Sequence, residues 1–204
     1  MKANNKYSQA VKEEALRLGF DDCGIASVQY LEENHSFLKK WIRNDYHAGM
    51  NYLSVNTEKR ADPAKLVEGA KSVVSVVLSY YTGQKQADPS APIISRYAYG
   101  EDYHRVVGAK LNTLLHFVTK NIPGTTGRAF VDSSGVFEKT WAQRSGLGWI
   151  GKNSLLITPR FGSFVFIGEL IITAALEPDE PFEDQCGNCK KCMDACPNKA
   201  IVAE

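Results

Sequence analysis

Residues 72–80 read "SVVSVVLSY". The run is β-branched, almost wholly apolar and free of glycine and proline. A strand with one wet face alternates polar and apolar residues, and this one does not. It therefore reads as a strand covered on both faces, at the centre of a sheet. Working outward, "CGIASV" from Cys23 predicts a short strand, and "RAFVD" (128–132) another that ends on Asp132. "NSLLIT" (153–158) and "SFVFIGELIITAAL" (163–176) predict two strands joined by a tight turn at "PRFG". Helical spacing runs through Tyr7, Val11, Ala15 and Leu18, through Leu31, Leu38 and Ile42, and through Val107, Leu111, Leu114 and Val118. A further helix carries Phe137 and Trp141 and stops at "RSGLG" (144–148). About five strands and five helices, mixed rather than strictly alternating, predict an α+β domain: a central, mainly antiparallel sheet flanked by helices.

Composition narrows the function classes. The chain has 204 residues, 44% hydrophobic and 23% charged, and a formal net charge of +1. No global positive field marks a nucleic-acid binder, although a local patch is compatible with that charge. No apolar run reaches the roughly 20 residues of a membrane span, and the N-terminus lacks the apolar core of a signal peptide. The expected compartment is the cytoplasm, with no membrane partner. In that compartment five cysteines, four of them clustered, point to metal ligation rather than disulfides.

Those four are Cys186, Cys189, Cys192 and Cys196, in "CGNCKKCMDACP". Their spacing, C-x2-C-x2-C-x3-C-P, is that of a bacterial ferredoxin run. Two residues between thiolates let one tight turn aim several sulfurs and amides at a cluster. Structural zinc sites come more often as two separated pairs. In two-cluster ferredoxins the fourth cysteine of the run serves the other cluster, so Cys186, Cys189 and Cys192 would hold one and Cys196 reach toward a second. Cys23, alone in an apolar strand, reads as a core residue. No phosphate-binding glycine fingerprint is present: "GLGWIGKNS" lies between helix and strand, the wrong order for one. From the residues alone Asp132, with Ser133 and Ser134, reads first as a helix cap before "GVFEKTW".

Taken together, "VDSSGVFEKTWAQRSGLGWIGKNSLLITPRFGSFVFIGELI" (131–171) and the cysteine run closely resemble the epoxyqueuosine reductase family. "GFDDCGIA", "GMNYL", "KRADPAKLVEGAKSVVSVVLSYY" and "SRYAYGEDYHRVV" follow in family order, so the resemblance covers essentially the whole chain. It implies a cobalamin-dependent iron–sulfur enzyme of tRNA modification, on a reductive-dehalogenase-like, nitroreductase-like domain. The 4Fe-4S clusters would feed electrons to cobalamin, and reduced cobalt would attack epoxyqueuosine at the tRNA wobble position. Asp132 matches the family's proton donor, with a pKa raised by burial beneath the corrin. Arg60, Tyr97, Tyr99, His104, Lys152, Asn153, Ser154, Gly162 and Ser163 are the expected cofactor shell, alongside Asp132. The partners implied are the tRNA anticodon loop and an unidentified electron donor. A monomer is expected. The other readings are a related cobalamin and iron–sulfur reductase acting on a small molecule, and a non-catalytic electron-transfer protein.

The expected organisation is a cobalamin-binding catalytic domain over residues 1–176 and a linker over 177–185. The first half of a two-cluster ferredoxin-like module follows over 186–204. Family members continue with further cysteines and often a helical-repeat domain, so a C-terminally truncated member is expected, with cluster occupancy in doubt. Basic residues such as Lys39, Arg43, Arg105 and Arg160 are scattered in sequence and single out no RNA-binding surface.

Overall fold

A computed structural model of the chain describes residues 3–84, 86–132 and 134–202. In chain order the elements are α1 (Ala3–Arg17), β1 (Asp22–Ser27), α2 (Glu32–Arg43), α3 (Thr57–Ala61), β2 (Ser72–Ser79) and α4 (Tyr103–Asn121). They continue with β3 (Gly127–Phe130), α5 (Glu138–Arg144), β4 (Trp149–Ile150), β5 (Leu156–Ile157), β6 (Val165–Ile172) and α6 (Lys191–Ala195). Four strands form one sheet in the order β1-β2-β6-β3, every neighbour antiparallel. β2 is interior, as its uninterrupted apolar run predicts, and Val73, Val74, Val76 and Val77 are all fully buried.

The strand period of two divides those valines between two cores. Val74 and Val76 face α1 and α4, packing with Val11, Leu111, Leu114 and Leu170. Val73 faces Leu31, Ala61 and Trp141, and Val77 faces Ala142 and Leu147, so α2, α3 and α5 cover the opposite face. Burying each such side chain contributes about 1.5–3 kcal/mol, which makes this doubly covered strand the anchor of the fold. Gly24 of β1 shows how closely α5 approaches. A Cβ there would lie 1.9 Å from the Ser145 carbonyl oxygen, so only glycine admits that helix end. Cys23, on the other face, is a buried free thiol, as the sequence suggests.

Two local expectations change. "NSLLIT" and "SFVFIGELIITAAL" do not run on as one hairpin: β5 pairs with β4, while β6 pairs with β2 and β3. Only the Thr158–Gly162 bridge joins the two segments across their turn. β6 is drawn into the main sheet because both its faces are apolar and need covering there. The connection between α2 and β2 contains α3, after which Asp62 caps a 3₁₀ turn over Pro63–Lys65 by accepting from the Ala64 amide at 3.0 Å. Residues 177–185 form neither helix nor strand, yet they are tied along the domain. The Asp179 amide donates to Ile25 O and the Ile25 amide to Asp179 Oδ2, both at 2.8 Å. Lys12 pairs with the same carboxylate, and the Phe182 amide donates to Gln143 O at 2.9 Å. Among the described residues no helix is long and apolar enough to cross a membrane.

Candidate active site

Three chain segments meet at one end of the sheet: the exit of β3, the first residues of β6 and the N-terminus of α4. Between them lies an open cleft of about 400 Å³. Tyr80, Tyr97 and Tyr103 supply its aromatic surface, Val165, Phe166 and Ile167 its apolar surface, and Asp132, Glu138 and Lys139 its charges. The Tyr103 ring lies parallel to Phe166, centroids 4.3 Å apart. Asp102 fixes the start of α4 by accepting from the His104 amide at 2.9 Å, which aims Tyr103 and His104 at the loop after β3.

Asp132 sits on that loop with φ +49°, a left-handed conformation that aspartate tolerates better than most residues. Tyr103 Oη donates to Asp132 Oδ2, and His104 Nε2 lies 3.4 Å from the same oxygen. The Asp132 amide donates to Glu138 Oε1 at 2.6 Å. Asp132 does not cap α5: that helix begins at Glu138, and Phe137 before it makes no side-chain cap. The Asp132 side chain is 60% exposed in the protein alone.

The burial lies at its neighbours. Glu138 is pushed up to about pKa 7, chiefly by burial, with the Asp132 charge adding and the Asp132 amide opposing. Glu169, on β6, is completely buried, and burial drives it well above the carboxylate range with the Glu138 charge adding. Among the described residues neither of its carboxyl oxygens has a hydrogen-bond partner. The Tyr103 phenol is raised by burial first and by its bond to Asp132 second. His104 is raised mainly by its hydrogen bond to Asp102, Nδ1 to Oδ1 at 2.8 Å.

The other expected residues are not all brought together. Tyr97 lines the cleft, whereas Tyr99 is an exposed neighbour that does not. Arg60 lines a separate hollow of about 350 Å³ with Tyr52 and Lys59; its chain passes beneath Gly135, behind the Asp132 loop. Gly162 (φ +57°) closes the turn with Thr158, its amide donating to Thr158 O at 3.0 Å, and Ser163 offers its carbonyl to Tyr80 Oη at 3.5 Å. Asn153 Oδ1 accepts from the Leu155 amide, and Ser154 O accepts from Lys139 Nζ at 2.7 Å. Lys152 turns the other way: its Nζ donates to Gly187 O at 2.7 Å and Cys189 O at 3.2 Å, gripping the cysteine loop. Residues 138–139, 151–154 and 186–189 thus form one bonded path from cleft to thiols. The reading of the sequence missed Tyr103, Glu138, Lys139 and Glu169. Glu169 alone carried a signal, as a single acid inside an apolar strand.

The four thiols of the C-terminal run are free, and among the described residues no three His, Cys, Asp or Glu side chains converge as a metal site. The chemistry of the donors still suits a thiolate centre. The Cys196 thiol is lowered by backbone amides, those of Ile201 and Ala200 foremost.

The family profile described as epoxyqueuosine reductase QueG, DUF1730 matches residues 60–133, and a 4Fe-4S binding domain profile matches residues 180–202. An epoxyqueuosine reductase of Cellulophaga algicola is 49% identical over 202 residues, covering 99% of this chain and 66% of that one. The chain belongs to the epoxyqueuosine reductase family. The epoxyqueuosine reductase of Cyclobacterium marinum agrees, 48% identical over 207 residues, covering 100% of this chain and 66% of that one. Among solved structures, an epoxyqueuosine reductase with an epoxyqueuosine-modified tRNA-Tyr stem loop superposes with TM-score 0.90 at 33% identity. That match covers 97% of this chain and 53% of the other. An epoxyqueuosine reductase of Bacillus subtilis, with its catalytic aspartate loop swung out of the active site, gives TM-score 0.89 at 31% identity, over 97% and 53%. A reductive dehalogenase gives TM-score 0.60 at 16% identity, a likeness of fold alone. The chain thus spans about two thirds of those curated epoxyqueuosine reductases and about half of the solved ones.

Proposed function

We propose that this chain is the catalytic portion of an epoxyqueuosine reductase, converting epoxyqueuosine in tRNA to queuosine with Asp132 as the proton donor. The observation that carries the reading is the Asp132 constellation. A carboxyl group stands at the mouth of an aromatic cleft, held at its side chain by Tyr103 and at its main chain by Glu138. A relative whose catalytic aspartate loop can leave its active site supports placing that role on a loop residue.

The cleft suits a flat macrocycle. It is open on one side, and its aromatic and apolar surface is interrupted by a few convergent polar groups. Asp132, Tyr97, Tyr103 and Lys139 are the residues that would hold a cobalamin there, and the four C-terminal thiols would hold iron–sulfur clusters. A cobalamin so bound would supply a strongly reducing cobalt centre, recharged by single electrons from the clusters.

The conversion takes two electrons and two protons, breaks both C–O bonds of the epoxide, and releases its oxygen as water. This chain's task is the proton side and the placement. Tyr103 Oη holds Asp132 Oδ2, so the other carboxyl oxygen is left to carry the proton toward the substrate oxygen. Stacking on Phe166 fixes the Tyr103 ring, and so fixes the direction of that hydrogen bond. A ligand covering the open side would exclude water from a carboxyl that the protein alone leaves exposed. The partner would be a tRNA anticodon loop carrying epoxyqueuosine, with a separate electron donor.

The test is turnover of epoxyqueuosine-containing tRNA by the reconstituted holoenzyme with a chemical reductant, followed by nucleoside mass spectrometry. Asp132→Asn keeps the backbone preference and removes the acid, and its rate is expected to fall by roughly 10²–10⁴. Unchanged turnover in that variant would remove Asp132 from the chemistry.

A further inference from the structure

The conversion consumes two protons, and the Asp132 carboxyl carries one. A second acid has to recharge it before the oxygen can depart as water. Glu138 stands where such an acid is needed. It lines the same cleft, its Oε1 lies 2.6 Å from the Asp132 amide nitrogen, and its helix is rooted in the core by Thr140, Trp141 and Ala142. Behind it Glu169 projects from β6 on the face that α5 covers, opposite Ser75 and Phe130, fully buried with no partner for either oxygen among the described residues. Two carboxyl groups so placed do not both ionise readily, and the proton they retain belongs to the pair.

We propose that Glu138, backed by Glu169, is the proton reserve of this cleft: it holds the Asp132 main chain and returns a proton to the Asp132 carboxylate between the two protonations. The proposal rests on the functional reading above. Asp132 gives its proton to the epoxide oxygen as the first C–O bond breaks. The Glu138 proton then passes to the Asp132 carboxylate. Asp132 protonates the resulting hydroxyl as the second C–O bond breaks and water leaves. The two electrons would come from the reduced cobalamin named above, and solvent reprotonates Glu138 once product has left and the cleft is open again. Glu138 acts through Asp132 and is therefore a positioning residue rather than a catalytic one.

The charged and titratable groups that face Glu138 come from four elements. They are Asp132 after β3, Lys139 on α5, Tyr103 and His104 on α4, and Glu169 on β6. Burial keeps the Glu138 proton in place up to about pH 7; the Asp132 charge reinforces it, while Lys139 and His104 draw it away.

Infrared difference titration and steady-state kinetics of the holoenzyme and its Glu138→Gln variant test this. Glutamine still offers an acceptor to the Asp132 amide. Wild type is expected to show a carboxyl band titrating near pH 7, absent from Glu138→Gln. The variant's kcat is expected to fall roughly tenfold or more at unchanged KM, and to lose the decline with rising pH that wild type shows above neutrality. Glu138→Asp, which keeps an acid at shorter reach, should retain that decline at a reduced rate and covers the case in which Glu138→Gln does not fold. Wild-type kcat in Glu138→Gln at every pH, a neutral-range band that survives the substitution, or loss of the decline in Glu138→Asp would each overturn the proposal. A wild-type enzyme that leaves epoxyqueuosine tRNA unchanged sinks the functional reading instead, and the infrared band distinguishes the two failures.

Discussion

Asp132 holds a left-handed backbone on a side chain with a Cβ, a conformation that costs about 1 kcal/mol unless neighbours over-determine it. Tyr103 and Glu138 are those neighbours, one at the carboxylate and one at the amide. Tyr103→Phe keeps the ring stacked on Phe166 and removes only the donated bond. A hydrogen bond to a charged group is worth about 1.5–3 kcal/mol, so kcat is expected to drop roughly tenfold or more with the fold intact. Equal turnover in wild type and Tyr103→Phe would show that the loop needs no such hold. Glu138 makes a separate prediction for stability. Its folded pKa, about 7, lies above the ordinary 4.5. Between those values the folded state binds more protons than the unfolded one, so stability falls as pH rises, and the loss is complete above about pH 7. At roughly 1.4 kcal/mol per pH unit the loss approaches about 3 kcal/mol. Glu138→Gln is therefore expected to match wild type below about pH 4.5 and to exceed it by up to that amount at pH 8. Urea unfolding at both pH values measures it, and equal stabilities at pH 8 would contradict the burial of this acid.

α5 is the element that turns a scaffold into a site. Its first two residues hold the Asp132 loop and Ser154, its middle fills the core with Trp141, and its last turn abuts β1 at Gly24. Gly24→Ala would drive a methyl group into the Ser145 carbonyl, a backbone atom that cannot rotate away. A loss of about 3 kcal/mol or more is expected in denaturant unfolding; a variant as stable as wild type would mean that α5 is free to shift. How much of this the sequence disclosed depended on the range of the interactions. β2 was legible because four valines in one short run report coverage on both faces by themselves. The helices that carry buried stripes were legible for the same reason. α3 was not, because five residues beside an Asp-Pro pair show no period. Asp132 was reached through resemblance, while composition offered a helix cap that the structure does not form. Glu138 had no local mark at all: its meaning comes from the β3 exit loop and from Glu169, 31 residues further on. The aim of Lys152 at the Cys189 carbonyl is equally invisible before folding.

At the scale of the molecule the sheet has two edges, and they are finished differently. β3 is a four-residue edge, short enough to offer little template to another chain. β1 is longer, and residues 177–185 shield it, with Asp179 taking up both the amide and the carbonyl of Ile25. A chain ending before Glu177 is expected to unfold at lower temperature and to associate as concentration rises, measurable by calorimetry and light scattering. A monodisperse shortened chain of unchanged Tm would show the edge to be harmless. The segment that hides this edge is also the one that leads to the thiols. Damage there, whether by proteolysis or by a shifted reading frame, would remove the thiols and expose an adhesive strand in one event. Failure at that point would register as precipitation before it registered as lost turnover.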